Sequence, residues 1–427
     1  MKTKTKRPLL LLVLMIFATS INAQQPDTAQ PTKHEFSVQQ AVDYALKNNV
    51  NVKNALLQVK VQEQQNAVFT ASAYPHINAS IGTTYNPAIA TTVIPNFISP
   101  ATYQVLIDQG VKDGNGNPIQ MPSNFGLIPA KFGTKFSANA GISLQQILFD
   151  GQVFVGLLAR GAAVALQQKG AEVTQETLKA NIYKVYYQLA VSKTQIEMLD
   201  ANIALVEKNL RDTRIIYENG FREKLDVDKE TVRLSNLKTE KQKLLNQISN
   251  GYYALKMLMG MPISDELILT DNITEQDVKD GVLNASGYTY ADRKEFQQAE
   301  ISKKLLEYNV RRFKLSQIPT ISLSALYAKN AQRDKWNFIG KGDWFTVSNV
   351  NLNVTIPIFN GFFTRSKIKE AQLEVNKISN QLDALKLWID NDVEAAKNNY
   401  RNALATMDMQ KQNKKQKKKV YQQTKKK

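Results

Sequence analysis

Four short segments of the chain alternate apolar and polar residues with a period of two. In 77–86, Ile77, Ala79, Ile81, Thr83 and Tyr85 share one side, and Asn78, Ser80, Gly82, Thr84 and Asn86 the other. In 135–145, Phe136, Ala138, Ala140, Ile142 and Leu144 oppose Lys135, Ser137, Asn139, Gly141, Ser143 and Gln145. In 320–327, Ile321, Leu323, Ala325 and Tyr327 oppose Thr320, Ser322 and Ser324. In 349–356, Val350, Leu352, Val354 and Ile356 oppose Asn349, Asn351, Asn353 and Thr355. This period predicts strands whose two faces meet different surroundings. The polar faces carry amides and hydroxyls with few charges, as the wall of a wet lumen would. Their length is near that of a tilted outer-membrane strand. A half-exposed sheet on a soluble domain would alternate in the same way. Aromatics at segment ends (Tyr85, Tyr103, Trp336, Phe338, Trp344, Phe345) fit an interfacial girdle. Four strands cannot close a barrel of useful bore, so several chains would have to share one.

The remainder reads as helix. Leu178, Ile182, Val185, Leu189, Ser192, Ile196, Leu199, Ile203, Val206 and Leu210 recur in alternating steps of four and three, a coiled-coil seam. The spacing predicts a helix from about 155 to 217. A second stripe, Ile368, Ala371, Val375, Ile378, Leu382, Leu385 and Ile389, meets its first break at Asp392. A third, Leu234, Leu237, Leu244, Ile248, Leu255 and Leu258, is interrupted by Lys241 and Gly251. One helix is expected over 37–70, where Ser37 and Gln40 have capping-box spacing.

The order helix, strand, loop, strand, long helix occurs twice. An offset of 244 carries Ala55 to Ala299 and Pro75 to Pro319. Both prolines stand where a helix must end and a strand can begin. Phe149-Asp150-Gly151 and Phe359-Asn360-Gly361 close the second strand of each copy. The first copy has a longer loop, 87–131, with six prolines, expected to be irregular and external. Its Asp113-Gly114-Asn115-Gly116-Asn117 run resembles part of a calcium loop, but lacks the closing acid and reads as a turn. A turn at Glu218-Asn219-Gly220 precedes a return helix to Gly260. The second copy, by the same spacing, is expected to lack this return helix, as a truncated product or a fragment would.

The first seven residues are basic, Leu9–Ala18 is apolar throughout, and small residues lead to Ala23. This is an export signal with cleavage expected after Ala23. Nothing later is apolar for long enough to span a bilayer as a helix, so any crossing would need a closed barrel. Of the net charge of +17, residues 24–410 carry only +4, which excludes a basic nucleic-acid surface on the body of the chain. Cysteine is absent, and His34 and His76 are the only histidines. No phosphate loop, metal spacing or nucleophile–base order occurs, so no enzyme and no cofactor are expected. Both histidines read as solvated or interfacial.

The segment FSVQQAVDYALKNNV (36–50), the junctions at Pro75 and Pro319, the turns ending at Gly151 and Gly361, and YENGFREKLDVDKE (217–230) resemble the TolC family of outer-membrane efflux proteins. The resemblance covers 36–427. It implies a mainly α fold with a membrane β-barrel portion: a trimeric α-barrel joined to a shared 12-stranded β-barrel, four strands per protomer, in two structural repeats. It implies an exit duct for efflux or type I secretion in the cell outer membrane, reaching into the periplasm. Its partners would be two further copies, a periplasmic membrane-fusion adaptor, an inner-membrane pump or ABC transporter, and outer-membrane lipid, with no nucleic acid. Mapped onto the family's tip, Tyr217, Gly220 and Phe221 become adaptor contacts and Asp226 a candidate gate acid. Phe221 could equally pack locally, and Asp226 could be a solvated helix-face carboxylate. Val50 and Lys294 stand where the family usually has proline. The family's second tip, which carries its gate acids, has no counterpart here. The implied division is 1–23 signal, 24–35 linker, 36–260 first repeat, 261–290 connector and 291–427 second, incomplete repeat. Strands are expected at about 76–86, 134–149, 319–329 and 345–358, and the tip turn at about 217–222. The competing readings are a periplasmic coiled-coil adaptor or structural protein, and a non-functional channel fragment.

Overall fold

The computed structural model describes residues 32–271, 287–340 and 342–424. The expected export signal, its cleavage point after Ala23 and half of the expected 261–290 connector (272–286) lie outside the described residues. The chain forms two compact units: one from the residues through Val59 with 167–297 and 388–427, the other from 60–166 and 298–387.

In the first unit, β1 (Lys33–Phe36) pairs in parallel with β6 (Glu266–Leu269). Helix α1 (Val38–Asn48) opens on a reciprocal cap: Ser37 Oγ accepts from the Gln40 amide, and Gln40 Oε1 from the Ser37 amide at 2.9 Å. The single helix expected over 37–70 is in fact two. Asn49 is extended, and α2 (Val50–Ala71) starts after it. The Asn49 side chain is buried, so each polar atom needs a partner. Its Oδ1 accepts from the Asn51 and Val52 amides, and its Nδ2 donates to the Leu258 carbonyl at 2.7 Å. Val50 thereby takes the first helical position, where proline is tolerated but not required.

Helices α4 (Gly151–Glu218) and α5 (Lys224–Met259) meet along the predicted seam. Leu178, Ile182, Leu189, Ile203 and Val206 are buried, and the other seam positions are half-buried. The two interruptions of the α5 stripe have physical reasons. A Cβ on Gly251 would lie 2.7 Å from Leu189 Cδ2, so its missing side chain makes room for Leu189. Lys241 reaches Asp200 on α4 at 2.5 Å, beside a Lys238–Glu207 pair at 2.8 Å. Tyr186, fully buried, lies off the predicted seam. Its hydroxyl donates to the Phe36 carbonyl at 2.8 Å and accepts from the Asp271 amide, tying α4 to the small sheet. His34 is not simply solvated: Nε2 lies 3.3 Å from the buried Asp265 and the ring stacks on Phe36.

In the second unit, β2 (His76–Tyr85), β5 (Phe136–Phe149), β7 (Thr320–Arg333) and β8 (Phe345–Thr355) form an antiparallel sheet in the order β2-β5-β7-β8. Helix α6 (Lys294–Leu315) precedes β7 as α2 precedes β2. Both helices have 22 residues and are offset by 244 at each end. The strands after them start at the same offset. Ser72 Oγ donates to the Phe69 carbonyl at 2.6 Å, and Ser316 Oγ to the Phe313 carbonyl at 2.7 Å, again 244 residues apart.

The first copy's loop is not irregular. It holds β3 (Thr91–Pro95), α3 (Ile98–Asp108) and β4 (Leu127–Lys131), with β3 and β4 antiparallel. A two-stranded ribbon is all edge, so Pro95 and Pro129 are tolerated in it. Just ahead of α3, Asn96 Oδ1 accepts from the Ser99 amide at 3.0 Å, satisfying one of the helix's first free N–H groups. The last helix, α7 (Phe363–Thr424), also departs from expectation. Its stripe does not break at Asp392 but steps by four to Val393, then continues half-buried through Lys397, Tyr400, Leu404 and Met407. Asp392 leaves the stripe to pair with Arg293 at 3.3 Å.

Candidate functional site

The register of the four-stranded sheet aligns the alternating positions into two continuous faces. On one face the rows read Ile77–Leu144–Ala325–Val350, Ala79–Ile142–Tyr327–Ser348, and Ile81–Ala140–Lys329–Thr346. Leu323–Leu352 and Ile321–Val354 lie beyond the first row. Most of these apolar residues are uncovered: Ile81 is 89% exposed and Val350 73%, far more than a soluble sheet leaves open. On the other face the rows read His76–Gln145–Ser324–Asn351 and Asn78–Ser143–Leu326–Asn349. Asn351 Nδ2 donates to Asn349 Oδ1, and Asn353 Nδ2 to Thr355 Oγ1. This face carries no Asp, Glu, Lys or Arg within the four strands.

The sequence alternation ends at Tyr327 and begins again at Asn349, but the strands run past both. In that extension the sidedness reverses on β8 and is interrupted on β7. On β8, Thr346 and Ser348 lie on the apolar face and Phe345 and Val347 on the polar one; on β7, Lys329 and Arg333 interrupt the apolar face and Ala328 the polar one, while Asn330, Ala331 and Gln332 keep the original sides. The continued parity of Lys329, Ala331 and Arg333 is the signal that would have shown it. Tyr85 stacks on Phe136 with centroids 4.9 Å apart, and Phe338 contacts both Trp336 and Trp344 in the β7–β8 loop. In the β3–β4 loop, Asp113 Oδ1 accepts from the Asn115 and Asn117 amides. Those bonds, that from Asn117 first, close the turn and hold its carboxyl below the usual range.

The two strand-to-helix junctions differ. Gly151 is the first residue of α4, after Asp150 Oδ1 has accepted from the Gln152 amide at 2.7 Å. A Cβ on Gly151 would lie 2.8 Å from the Leu315 carbonyl oxygen. Gly361 instead stands in open space with φ +62, and Phe362 follows it at φ +66 before α7 begins. Pro75 and Pro319 each directly precede a strand of the sheet.

At the α4–α5 reversal, the Gly220 amide donates to the Tyr217 carbonyl at 2.9 Å and the Phe221 amide to the Ile216 carbonyl at 3.0 Å. This pair of bonds is a Schellman cap, and Gly220 has the positive φ it needs, +81. Phe221 packs on little, being 83% exposed, and Tyr217 is half-exposed. Asp226 occupies the first turn of α5, where the helix dipole favours an acid, and lies 4.0 Å from Arg222.

A cluster that the sequence did not reveal lies where α7 passes the start of α6. Tyr288 and Tyr290 both bond to Asp390, Tyr290 Oη at 3.1 Å from each carboxylate oxygen. Arg293 stacks over Trp388 at 5.5 Å. The hydrogen bond to Asp390 pushes the Tyr288 hydroxyl up to about 12. Among the described residues no cluster of acids and histidines could hold a metal ion, and no helix is long and apolar enough to cross a membrane.

The sequence profile described as outer membrane efflux protein matches residues 41–261 and 289–427. The outer membrane protein TolC of Vibrio cholerae is 21% identical over 264 residues, covering 61% of this chain and 60% of that protein. The probable efflux pump outer membrane protein TtgC of Pseudomonas putida is 20% identical over 357 residues, 83% of this chain and 65% of that protein. The chain thus spans less than two thirds of the length of these relatives. Among solved structures, the Campylobacter jejuni CmeC outer membrane channel superposes with a TM-score of 0.62 at 16% identity, covering 82% of this chain and 67% of that one. The outer membrane protein VceC of Vibrio cholerae gives 0.59 at 13% identity, covering 82% and 75%.

Proposed function

Because the chain belongs to the outer membrane efflux protein family, and so to the outer membrane, we propose that it is one subunit of an exit channel. Three copies contribute four strands each to one 12-stranded barrel. The carrying observation is the two-faced sheet: over the rows from Ile321–Val354 to Ala79–Ile142, a largely uncovered apolar face backs onto a face rich in amides and hydroxyls that carries no Asp, Glu, Lys or Arg. Such a wall is wet inside and binds solutes weakly, which suits passage rather than capture. Both β2 and β8 are edge strands, and open edges do not persist in hydrocarbon, so each edge meets a neighbouring copy. The paired α4 and α5 belong to the channel's periplasmic part.

The reversal at 217–222 is the adaptor contact, with exposed Phe221 as its apolar anchor and Gly220 holding the turn. Through the adaptor the channel couples to an inner-membrane pump or ABC transporter. Asp226 is the gate acid: three copies in a narrow opening would repel anions and attract cations. Its place in the first helical turn serves the helix start as well.

Spin labels test the sheet assignment. Labels at Ile81, Ile142, Leu323 and Leu352 of the reconstituted chain are expected to report acyl chains, and labels at Asn78, Ser143, Ser324 and Asn351 water. Water at the first set would overturn the channel and leave the periplasmic coiled-coil reading.

A further inference from the structure

Only two charges lie on the apolar face of the four-stranded sheet, Lys329 and Arg333. Arg333 is engaged: its guanidinium lies 5.2 Å from the Phe338 ring centroid and bonds to Asn337. Lys329 is exposed and makes no ion pair among the described residues. Thr346 is its partner in register, and the next row pairs Tyr327 with Ser348. Three hydroxyls and one ammonium therefore share a patch. Directly beneath, Ala325 sits between Leu144 and Val350. Its short side chain leaves a shallow depression of about 520 Å³, bordered by Ile142, Leu144, Val350, Tyr327 and Ser348. At the same levels on β2 and β5 the face is wholly apolar, Ile81–Ala140 and Ala79–Ile142.

We propose that this is a docking groove for an anionic phospholipid. One acyl chain lies in the depression over Ala325. The headgroup phosphate meets the Lys329 ammonium, with the hydroxyls of Thr346, Ser348 and Tyr327 as further donors. An unpaired cation facing hydrocarbon is costly, and lysine relieves the cost by extending its head to the polar boundary, where a phosphate neutralises it. The apolar floor selects a lipid over soluble phosphate. The assignment rests on this face being the membrane side.

The test uses the full chain in vesicles of phosphatidylcholine with phosphatidylglycerol, extracted gently, with retained lipid counted by native mass spectrometry. The wild type is expected to retain phosphatidylglycerol in preference to phosphatidylcholine. Lys329→Gln should weaken that retention about fivefold, one lysine's share of attraction to an anionic lipid, and Lys329→Arg should preserve it. Ala325→Leu, which fills the depression without touching the charge, should weaken it too. Equal retention by wild type, Lys329→Gln and Ala325→Leu overturns the groove, as does displacement of the lipid by inorganic phosphate. A spin label at Ile81 in each variant separates the two failures. Acyl-chain contact with unchanged retention sinks the groove alone, whereas water contact sinks the membrane assignment with it.

Discussion

Gly151 and Leu315 approach so closely that no side chain fits between them: a Cβ on Gly151 would lie 2.8 Å from the Leu315 carbonyl oxygen and 2.9 Å from its Cβ. The obstruction is backbone, which cannot swing aside. Gly151→Ala is expected to destabilise the protein by about 1–3 kcal/mol through overpacking. Gly361→Ala meets open space and only the cost of its positive φ, about 1 kcal/mol. Unfolding midpoints of both variants in detergent check the order. A Gly361→Ala variant weaker than Gly151→Ala would contradict it.

Tyr186→Phe keeps the ring in the core but strips the Phe36 carbonyl and the Asp271 amide of a partner. The Phe36 carbonyl keeps its bond from the Thr270 amide at 3.1 Å, so of the two only the Asp271 amide is left unpaired, and the expected loss is about 1–2 kcal/mol. Hydrogen exchange should quicken in β1 and at Asp271 while the four-stranded sheet stays protected. Uniform quickening would place the effect elsewhere.

Tyr288 titrates late because Asp390 accepts its proton's hydrogen bond, moving it from 10.0 to about 12. A raised value in the folded state means that its contribution is complete below about pH 10 and fades as pH rises towards 12. Burial also raises Tyr186 and Tyr252, so ultraviolet titration of tyrosinate should show several late-ionising residues, one fewer in Tyr288→Phe. In Asp390→Asn, Tyr288 should ionise earlier, and an unchanged curve would refute the pairing.

Glu172 behaves in the opposite sense. Hydrogen bonds from Lys169, then Lys294, hold its carboxyl below the ordinary value of 4.5. Its contribution is present above that value and is lost as pH falls through the lowered one. Glu172→Gln should therefore lower stability at neutral pH and leave it nearly unchanged in strong acid. A loss of equal size in acid would point to packing instead of charge.

Much of the fold was legible because two periodicities dominate it. The period of two set the faces of β2, β5, β7 and β8, and the alternation of four and three set the α4 seam. What stayed hidden depends on single side chains that answer to distant partners. Asn49 splits a helix because its amide reaches Leu258, 209 residues away. Asp392 looked like a break because its partner Arg293 lies far off in sequence. The β3–β4 ribbon was masked by its prolines, which a two-stranded edge accommodates. At the α4–α5 turn, Gly220 was readable from local chemistry. By contrast, the polar patch around Lys329 lay just past the point where the alternation loses its regularity.

That loss of regularity gives the greasy belt a slanted rim. Beside β2 and β5 it climbs to Tyr85 and Phe136, whereas on β7 it ends at Tyr327, which pairs with Ile142. The difference is six residues of β5, roughly 20 Å along the strand. A bilayer sealed against such a wall cannot keep a level waterline. In the trimer proposed above it would dip at each β7–β8 hairpin, so every copy would press its own dent into the surrounding leaflet.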